Sequence, residues 1–139
     1  MAEGKYIKDF DSWHLEKKSI DSKNDDLIPY YYEREIWFCK VGCNIGYEQD
    51  GKDTEFVRPV VIIRKHGKNL FTGIPLTTKI KSLNFYFGVG EIDGESAMAV
   101  LIQVRAYSSK RLVNKIGMMD EKVFEAMKKA TAEYIFKSA

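Results

Sequence analysis

Five short segments rich in β-branched and aromatic residues constrain the fold of this chain more than any other feature of its sequence. They run from Glu35 to Val41, Val57 to Arg64, Leu70 to Pro75, Phe85 to Val89 and Met98 to Val104. Such segments are typical of β-strands, and the glycine and aspartate clusters between them predict turns, with Asp93-Gly94 as a hairpin signal. Five short strands at this spacing predict a small, strongly bent barrel.

Segments of helical periodicity stand at both ends of the chain. Between Tyr6 and Ile20, apolar positions recur every three or four residues and predict a short amphipathic helix. A sixth short strand is predicted at Leu112 to Ile116, and a closing helix is predicted after Gly117, with Asp120 as its N-cap. The fold class is therefore mainly β with α, or α+β.

A polar stretch separates the first helix from the strands. Asp21 to Asp26 reads DSKNDD, which is typical of a solvated linker. We therefore expect a helical extension and linker over residues 1–29 and one barrel domain over residues 30–139. A chain of 139 residues has room for one ordinary domain.

Charge and cysteine content limit the classes of function. Lys and Arg number 22 against 20 Asp and Glu, so any site for a polyanion must be a local patch. Two cysteines alone cannot complete a four-ligand zinc site. Because disulfides are rare in the cytosol, Cys39 is expected to be a buried thiol and Cys43 a free thiol near a turn. The longest aliphatic run, Val60 to Ile63, is far too short to span a bilayer, and we expect a soluble protein of the cytosol.

Polar side chains at the ends of the predicted strands are the candidates for chemistry. Arg58, Thr77, Thr78 and Arg105 stand where loops converge, and two arginines with two hydroxyls could bind one phosphate. The alternative is that Arg58 is a surface guanidinium and that Thr77 bonds its own backbone. Several basic and aromatic residues surround these positions and would suit RNA: Lys79, Lys81, Lys110, Arg111, Lys115, Tyr86 and Tyr107.

Histidines and loop carboxylates offer weaker candidates. His14 and His66 have no matching partner in the sequence, and we expect both to lie at the surface. The acidic residues of the loop between the first two strands match no calcium-binding spacing, and we expect a solvated loop. These residues are Glu48, Asp50, Asp53 and Glu55.

Four segments in order resemble the MazF/PemK family of bacterial toxin ribonucleases, over about residues 32–136. They are Arg34-Glu35-Ile36-Trp37, which lacks the glycine that the family has after its arginine; Gly46-Tyr47-Glu48-Gln49-Asp50-Gly51, leading to Arg58-Pro59-Val60-Val61-Ile62; Ile74-Pro75-Leu76-Thr77; and Gln103-Val104-Arg105 with Lys110-Arg111-Leu112 and Ile116-Gly117.

The resemblance implies an SH3-like barrel of the CcdB/MazF type that cleaves single-stranded RNA without a metal or other cofactor. Carried over by position, the family's catalytic arginine falls on Arg58 and its catalytic threonine on Thr77. Contacts to RNA are implied for Glu48, Gln49, Thr78, Lys79, Arg105 and Lys110. Tyr47 in place of a small residue and Ser108-Ser109 in place of an acidic residue are departures from the family pattern.

The resemblance also implies a homodimer and a cognate antitoxin protein that blocks the RNA groove. Trp37 and Tyr86 are expected to be exposed on strands and to become buried in the dimer.

Two alternatives have other functions. One is a protein-binding homologue like the gyrase poison CcdB, which would need neither Arg58 nor Thr77. The other is a catalytically inactive RNA-binding homologue.

Overall fold

Seven antiparallel strands form one curled sheet in residues 6–52 and 55–137, the part of the chain that this computed structural model describes. The strands are β1 (Glu35–Lys40), β2 (Val57–Lys65), β3 (Leu70–Thr77), β4 (Tyr86–Ile92), β5 (Glu95–Val100), β6 (Arg105–Ser108) and β7 (Leu112–Met118). Their order is β4-β5-β3-β2-β1-β7, and β6 also pairs with β3.

Strand β3 is the element around which the sheet curls. One edge of β3 pairs with β2, and the other edge is divided between two strands. Its first half, through Gly73, pairs with β6, and Leu76 and Thr77 at its end pair with β5. The sheet therefore bends at β3, which gives the half-barrel that the strand spacing predicts.

Two helices flank the sheet, as predicted. Helix α1 (Phe10–Asp21) begins after Asp9, whose side chain accepts a hydrogen bond from the amide of Ser12. Helix α2 (Glu121–Phe136) begins after Asp120, which accepts from two amides of its first turn. Both carboxylates satisfy amides that have no partner within the helix, which is why the helices begin there. No helix in the described ranges is long and apolar enough to cross a membrane.

Side chains alternate across β2 and fill two cores on opposite faces of the sheet. Val61 packs with Ile74, Leu76, Phe124 and Met127 under α2. On the opposite face, a second core contains Val60 and Ile62 together with Trp37, Cys39, Val41, Phe71, Tyr107 and others. Arg58 lies two residues before Val60 on β2, so its side chain projects from the same face of the sheet as the second core.

The region after β5 differs from the sequence-based prediction. The strand predicted over Met98 to Val104 ends at Val100, and Leu101–Gln103 form a 3-10 turn. This turn carries the chain from one half of β3 to the other, and β6, which the sequence did not predict, follows it. The predicted strand segments before and after Asp93-Gly94 are also too short, because β4 continues to Ile92 and β5 begins at Glu95.

The prediction that Trp37 is exposed is also wrong. Its side chain is 6% exposed, and its indole Nε1 donates to the carboxylate of Glu35 at 3.1 Å. Tyr86 is half-buried. Both cysteines are free thiols, and Cys43 is buried like Cys39. Any dimer interface must therefore use residues other than Trp37.

Candidate active site and RNA interface

Arg58 and Thr77 lie opposite each other on neighbouring strands. The register of β2 and β3 pairs Val60 with Pro75 and Val61 with Ile74. Continued by two residues, this register places Arg58 across from Thr77. Opposed residues of antiparallel strands project from the same face, so their two side chains share one side of the sheet.

The Arg58 guanidinium is held by two backbone carbonyls. Its Nε donates to the carbonyl of Asp50 at 2.6 Å, and its Nη1 donates to the carbonyl of Leu76 at 3.2 Å. The residue is 7% exposed. Burial lowers the pKa of Arg58 below its ordinary value, and the nearby carboxylate of Asp50 opposes that shift. The remaining N–H groups of the guanidinium have no hydrogen-bond partner within residues 6–52 and 55–137, so they are available to a ligand.

Arg58, Thr77 and Thr78 line one cavity of about 170 Å³. The hydroxyl of Thr77 accepts a hydrogen bond from the amide of Lys79 at 3.2 Å, and its own proton remains available to a ligand oxygen. Asp93, in the β4–β5 turn, and Glu95, the first residue of β5, line the same cavity. The sequence-based prediction that Arg105 joins this group is not met, because Arg105 lines a different cavity.

A second, polar cavity of about 470 Å³ contains Glu48, Gln49 and Arg105. Gln103 also lines this cavity and is bonded to the β1–β2 loop: its Oε1 accepts from the amide of Gln49 at 3.3 Å, and its Nε2 donates to the carbonyl of Tyr47 at 3.2 Å. Two of the four sequence motifs, Gly46 to Gly51 and the segment that begins at Gln103, are therefore joined by hydrogen bonds of the Gln103 side chain.

Three cations line this polar cavity: Lys17 from α1, Arg105 and Arg111. The Arg105 guanidinium lies 4.6 Å from the ring centroid of Tyr107, which is 1% exposed and also lines the cavity. Burial lowers the pKa of Arg111, and the charge of Arg105 adds to that shift. The positive charges of Arg105 and Arg111 repel each other, so an anion in the cavity would relieve the repulsion.

Lys79 and Lys110 lie outside both cavities. Lys79 is exposed in the loop after β3. The Lys110 ammonium donates to the carbonyl of Asp21 at 2.8 Å and lies 3.5 Å from the Asp25 carboxylate. Lys110 therefore binds the linker in this structure. Both histidines are exposed, as predicted.

Asp50 is a site residue that the sequence-based reasoning missed. It was expected in a solvated loop, but it is 8% exposed. Its Oδ1 accepts from the amide of Asn44 at 2.6 Å, and the ammonium of Lys8 lies 3.3 Å from its Oδ2. The nearest sequence signal was Gly51, where a Cβ would lie 1.7 Å from the carbonyl oxygen of Phe56. Such close approach requires glycine and indicates a packed loop.

Arg34 has a backbone conformation that bears on the motif before β1. Its φ is +77°, in the left-handed region that favours glycine. The motif Arg34-Glu35-Ile36-Trp37 has no glycine before its acidic residue, and Arg34 itself adopts the left-handed conformation there. In the described residues, the Arg34 Nε is buried without a hydrogen-bond partner.

Within the described ranges, no group of three or more His, Cys, Asp or Glu side chains is arranged to hold a metal ion.

Comparison with known families gives one match that covers most of the chain. Residues 32–135 match the model of the PemK-like, MazF-like toxin of type II toxin–antitoxin systems. No curated protein sequence matches the chain significantly.

Solved structures share the fold at low sequence identity. MazF from Deinococcus radiodurans is 16% identical with a TM-score of 0.63, and the alignment covers 77% of this chain and 98% of that one. An endoribonuclease from a Mycobacterial species, solved in complex with its cognate antitoxin, is 12% identical with a TM-score of 0.58 and coverages of 79% and 99%. A MazE–MazF structure from Deinococcus radiodurans is 15% identical with a TM-score of 0.58, and the alignment covers 79% of this chain and 100% of that one. Because the alignments cover nearly the whole of those proteins, the additional length lies in this chain.

Proposed function

Because the chain belongs to the PemK-like, MazF-like toxin family of type II toxin–antitoxin systems, a family of endoribonucleases, we propose that it cuts single-stranded RNA sequence-selectively and without a metal. The observation that carries the proposal is the placement of Arg58 and Thr77. The motif resemblance assigns the family's catalytic pair to these two residues, and they lie opposite each other on β2 and β3 and line one cavity.

In the proposed reaction, the 2′-hydroxyl of a ribose gives its proton to water, and the 2′-oxygen attacks the adjacent phosphorus in line. The bond from phosphorus to the 5′-oxygen of the next nucleotide breaks, and that oxygen takes up a proton from water. The products are a 2′,3′-cyclic phosphate and a free 5′-hydroxyl. Extra negative charge develops on the non-bridging oxygens of the phosphate during this step. Arg58 supplies fixed positive charge and N–H donors to those oxygens, and the Thr77 hydroxyl donates to one of them.

Burial strengthens this role of Arg58. A donor that is held in place before the reaction stabilises the transition state without reorganising, and the effect is larger away from bulk water. The carbonyls of Asp50 and Leu76 fix the guanidinium, and the side chain is almost fully buried.

The polar cavity beside the β1–β2 loop is proposed to bind RNA next to the scissile phosphate. Glu48 and Gln49 carry acceptor and donor groups suited to base edges, and Arg105 carries charge suited to a phosphate. Thr78, next to Thr77 in the first cavity, and Lys79, exposed after β3, would add contacts along the backbone of the RNA. A role for Lys110 requires that it first leave the linker carboxylate of Asp25.

A second candidate function is RNA binding without cleavage. The observation that favours it is that two donors of Arg58 are already engaged by backbone carbonyls. If those donors were the ones needed at the phosphate, the cavity would bind RNA and leave it intact.

We also propose two protein partners. One is a second copy of the chain, because the family groove is built across two copies. The other is an antitoxin that covers the RNA groove. Exposed apolar side chains near the candidate site offer contact area to either partner, including Ile45, Tyr47, Ile80 and Leu83. Sedimentation of the purified protein at micromolar concentration tests the dimer, and a monomer alone would contradict it.

The experiment that tests the proposed function is a gel assay of the purified protein on a long single-stranded RNA with a chelator present. We expect discrete fragments from the wild type and much slower cleavage by Thr77→Val, which removes the hydroxyl at nearly constant shape. Binding of the RNA with no fragments would favour the second candidate. If the protein neither binds nor cleaves the RNA, both candidate functions are contradicted.

A further inference from the structure

The N-terminal segment, residues 6–21, lies outside the 32–135 range that matches the family, yet it packs against the loop that carries Glu48 and Gln49. The indole of Trp13 is 6% exposed and packs on Cys43 and Phe56. At Gly42, a Cβ would lie 2.1 Å from the Trp13 ring, so only glycine admits the indole there. The segment is therefore fitted to the backbone of the β1–β2 loop.

Lys8 binds the same loop through its ammonium group. Lys8 Nζ donates to the carbonyl of Asn44 at 2.5 Å and to that of Gly46 at 2.9 Å, and it lies 3.3 Å from the Asp50 carboxylate. The side chains of Lys8 and Asp50 are only 20% and 10% exposed. A partly buried charge that meets three acceptors contributes more than a solvated surface pair does.

Asp50 connects Lys8 to the proposed catalytic arginine. The carboxylate of Asp50 is held by Lys8 and by the amide of Asn44, while its carbonyl accepts the Nε of Arg58 at 2.6 Å. A shift of Asp50 would therefore move one of the two acceptors that fix the guanidinium.

Phe56 provides a second connection, two residues before Arg58. Its φ is +58°, a conformation that is strained for a bulky residue and that persists only where the surroundings hold it. Its ring centroid lies 5.4 Å from that of Trp13. Its carbonyl accepts from the amides of Val41 and Gly42. The N-terminal segment thus supports the strained residue where the chain enters β2.

We propose that residues 6–21 are part of the RNA-cleaving site, with Lys8 as a positioning residue that acts on Arg58 through Asp50. The inference rests on the proposed function of Arg58 and extends it to a segment that the family match does not include. Lys8 itself touches no reacting atom in this arrangement. Its effect is on the rate of cleavage rather than on RNA affinity.

The test uses the full chain with Lys8→Met, which removes the ammonium and keeps an unbranched side chain, and Lys18→Met as the matched control. Lys18 is exposed on α1, so both variants lose one positive charge. A misplacement of about 1 Å in a catalytic group costs up to about a hundredfold in rate. We expect Lys8→Met to lose ten- to a hundredfold in single-turnover cleavage with little change in RNA affinity, and Lys8→Arg to recover part of the rate.

Amide hydrogen exchange over residues 42–52 is the second readout, and it does not depend on activity. Exchange there should be faster in Lys8→Met and unchanged in Lys18→Met. Wild-type cleavage and wild-type exchange in Lys8→Met would overturn the inference and leave the proposed function intact. Faster cleavage by Lys8→Met would overturn it as well, since the segment would then obstruct the site. If the wild type cuts no RNA, the proposed function fails, and unchanged exchange would show separately that Lys8 does not hold the loop.

Discussion

Replacing Arg58 should affect stability and cleavage by different amounts. Arg58→Ala removes the donors to the carbonyls of Asp50 and Leu76. A buried acceptor left without a donor costs about 1 to 3 kcal/mol. Because the side chain borders a cavity that water can enter, we expect the lower end for each carbonyl, or a loss of about 2 kcal/mol in the free energy of unfolding. Urea denaturation measures this loss.

The effect of Arg58→Ala on cleavage should be larger than its effect on stability. Removing one preorganised donor from a transition state costs about two to three powers of ten, and Arg58 also supplies charge, so we expect a loss of about two to four powers of ten. Arg58→Lys keeps the charge but loses the planar fork. It should restore RNA affinity and its salt dependence while recovering little of the rate.

The assay is single-turnover cleavage at saturating protein, corrected for the folded fraction of each variant. RNA affinity is measured in parallel at two salt concentrations. If Arg58→Ala is folded and cuts at the wild-type rate, the assignment of Arg58 is refuted. Full recovery of the rate by Arg58→Lys would show that charge alone suffices and that the fork has no role.

Three further predictions concern Thr77, Arg34 and Glu35. Thr77→Val should slow single-turnover cleavage about a hundredfold with little change in the urea midpoint, and an unchanged rate would exclude the hydroxyl from the reaction. Arg34→Gly relieves a left-handed φ worth about 1 kcal/mol. It gives up an ion pair with the mostly exposed Glu121, which is worth less than about 1 kcal/mol. The free energy of unfolding of Arg34→Gly should therefore stay within about 1 kcal/mol of wild type. A larger loss of stability would contradict the assignment of backbone strain to Arg34. Burial alone would raise the pKa of Glu35, but hydrogen bonds from donors that include the Trp37 indole hold the pKa below its ordinary value. The stability that Glu35 contributes is thus present above about pH 4.3 and lost as the pH falls through the lower folded-state pKa, and Glu35→Gln should flatten that part of a thermal-denaturation pH series.

Local signals predicted much of the fold. The Asp93-Gly94 pair forms the predicted hairpin turn, with φ of +51° and +82° at its two residues, as a type I′ turn requires. Asp120 caps α2 as predicted. The family and the enzyme class that the four motifs indicated are confirmed by the match over residues 32–135.

Features that depend on tertiary pairing were not predictable in the same way. The apolar run after Met98 does not show where the chain leaves one half of β3 for the other, because Leu101 is buried in the turn just as it would be in a strand. The face on which Trp37 lies depends on the register of β1 with its neighbours, which the residues of β1 alone do not fix.

The surroundings of Arg58 were the hardest to predict. The position of Arg58 follows from the motif, but the carbonyls that hold it come from Asp50, in a long loop, and from Leu76, on the next strand. The contact of Lys8 with Asp50 joins residues more than forty positions apart, across a predicted linker. No spacing rule connects such residues, so the support of the site is visible only in three dimensions.

The measurement that tests the central claim most directly is the chemical nature of the RNA ends produced by the wild-type protein with a chelator present. Attack by the 2′-oxygen at a phosphate held by Arg58 and Thr77 predicts 2′,3′-cyclic phosphate and 5′-hydroxyl ends at a small set of sequence-related sites. Fragments that carry 5′-phosphate ends, or cleavage that requires added Mg²⁺, would contradict it.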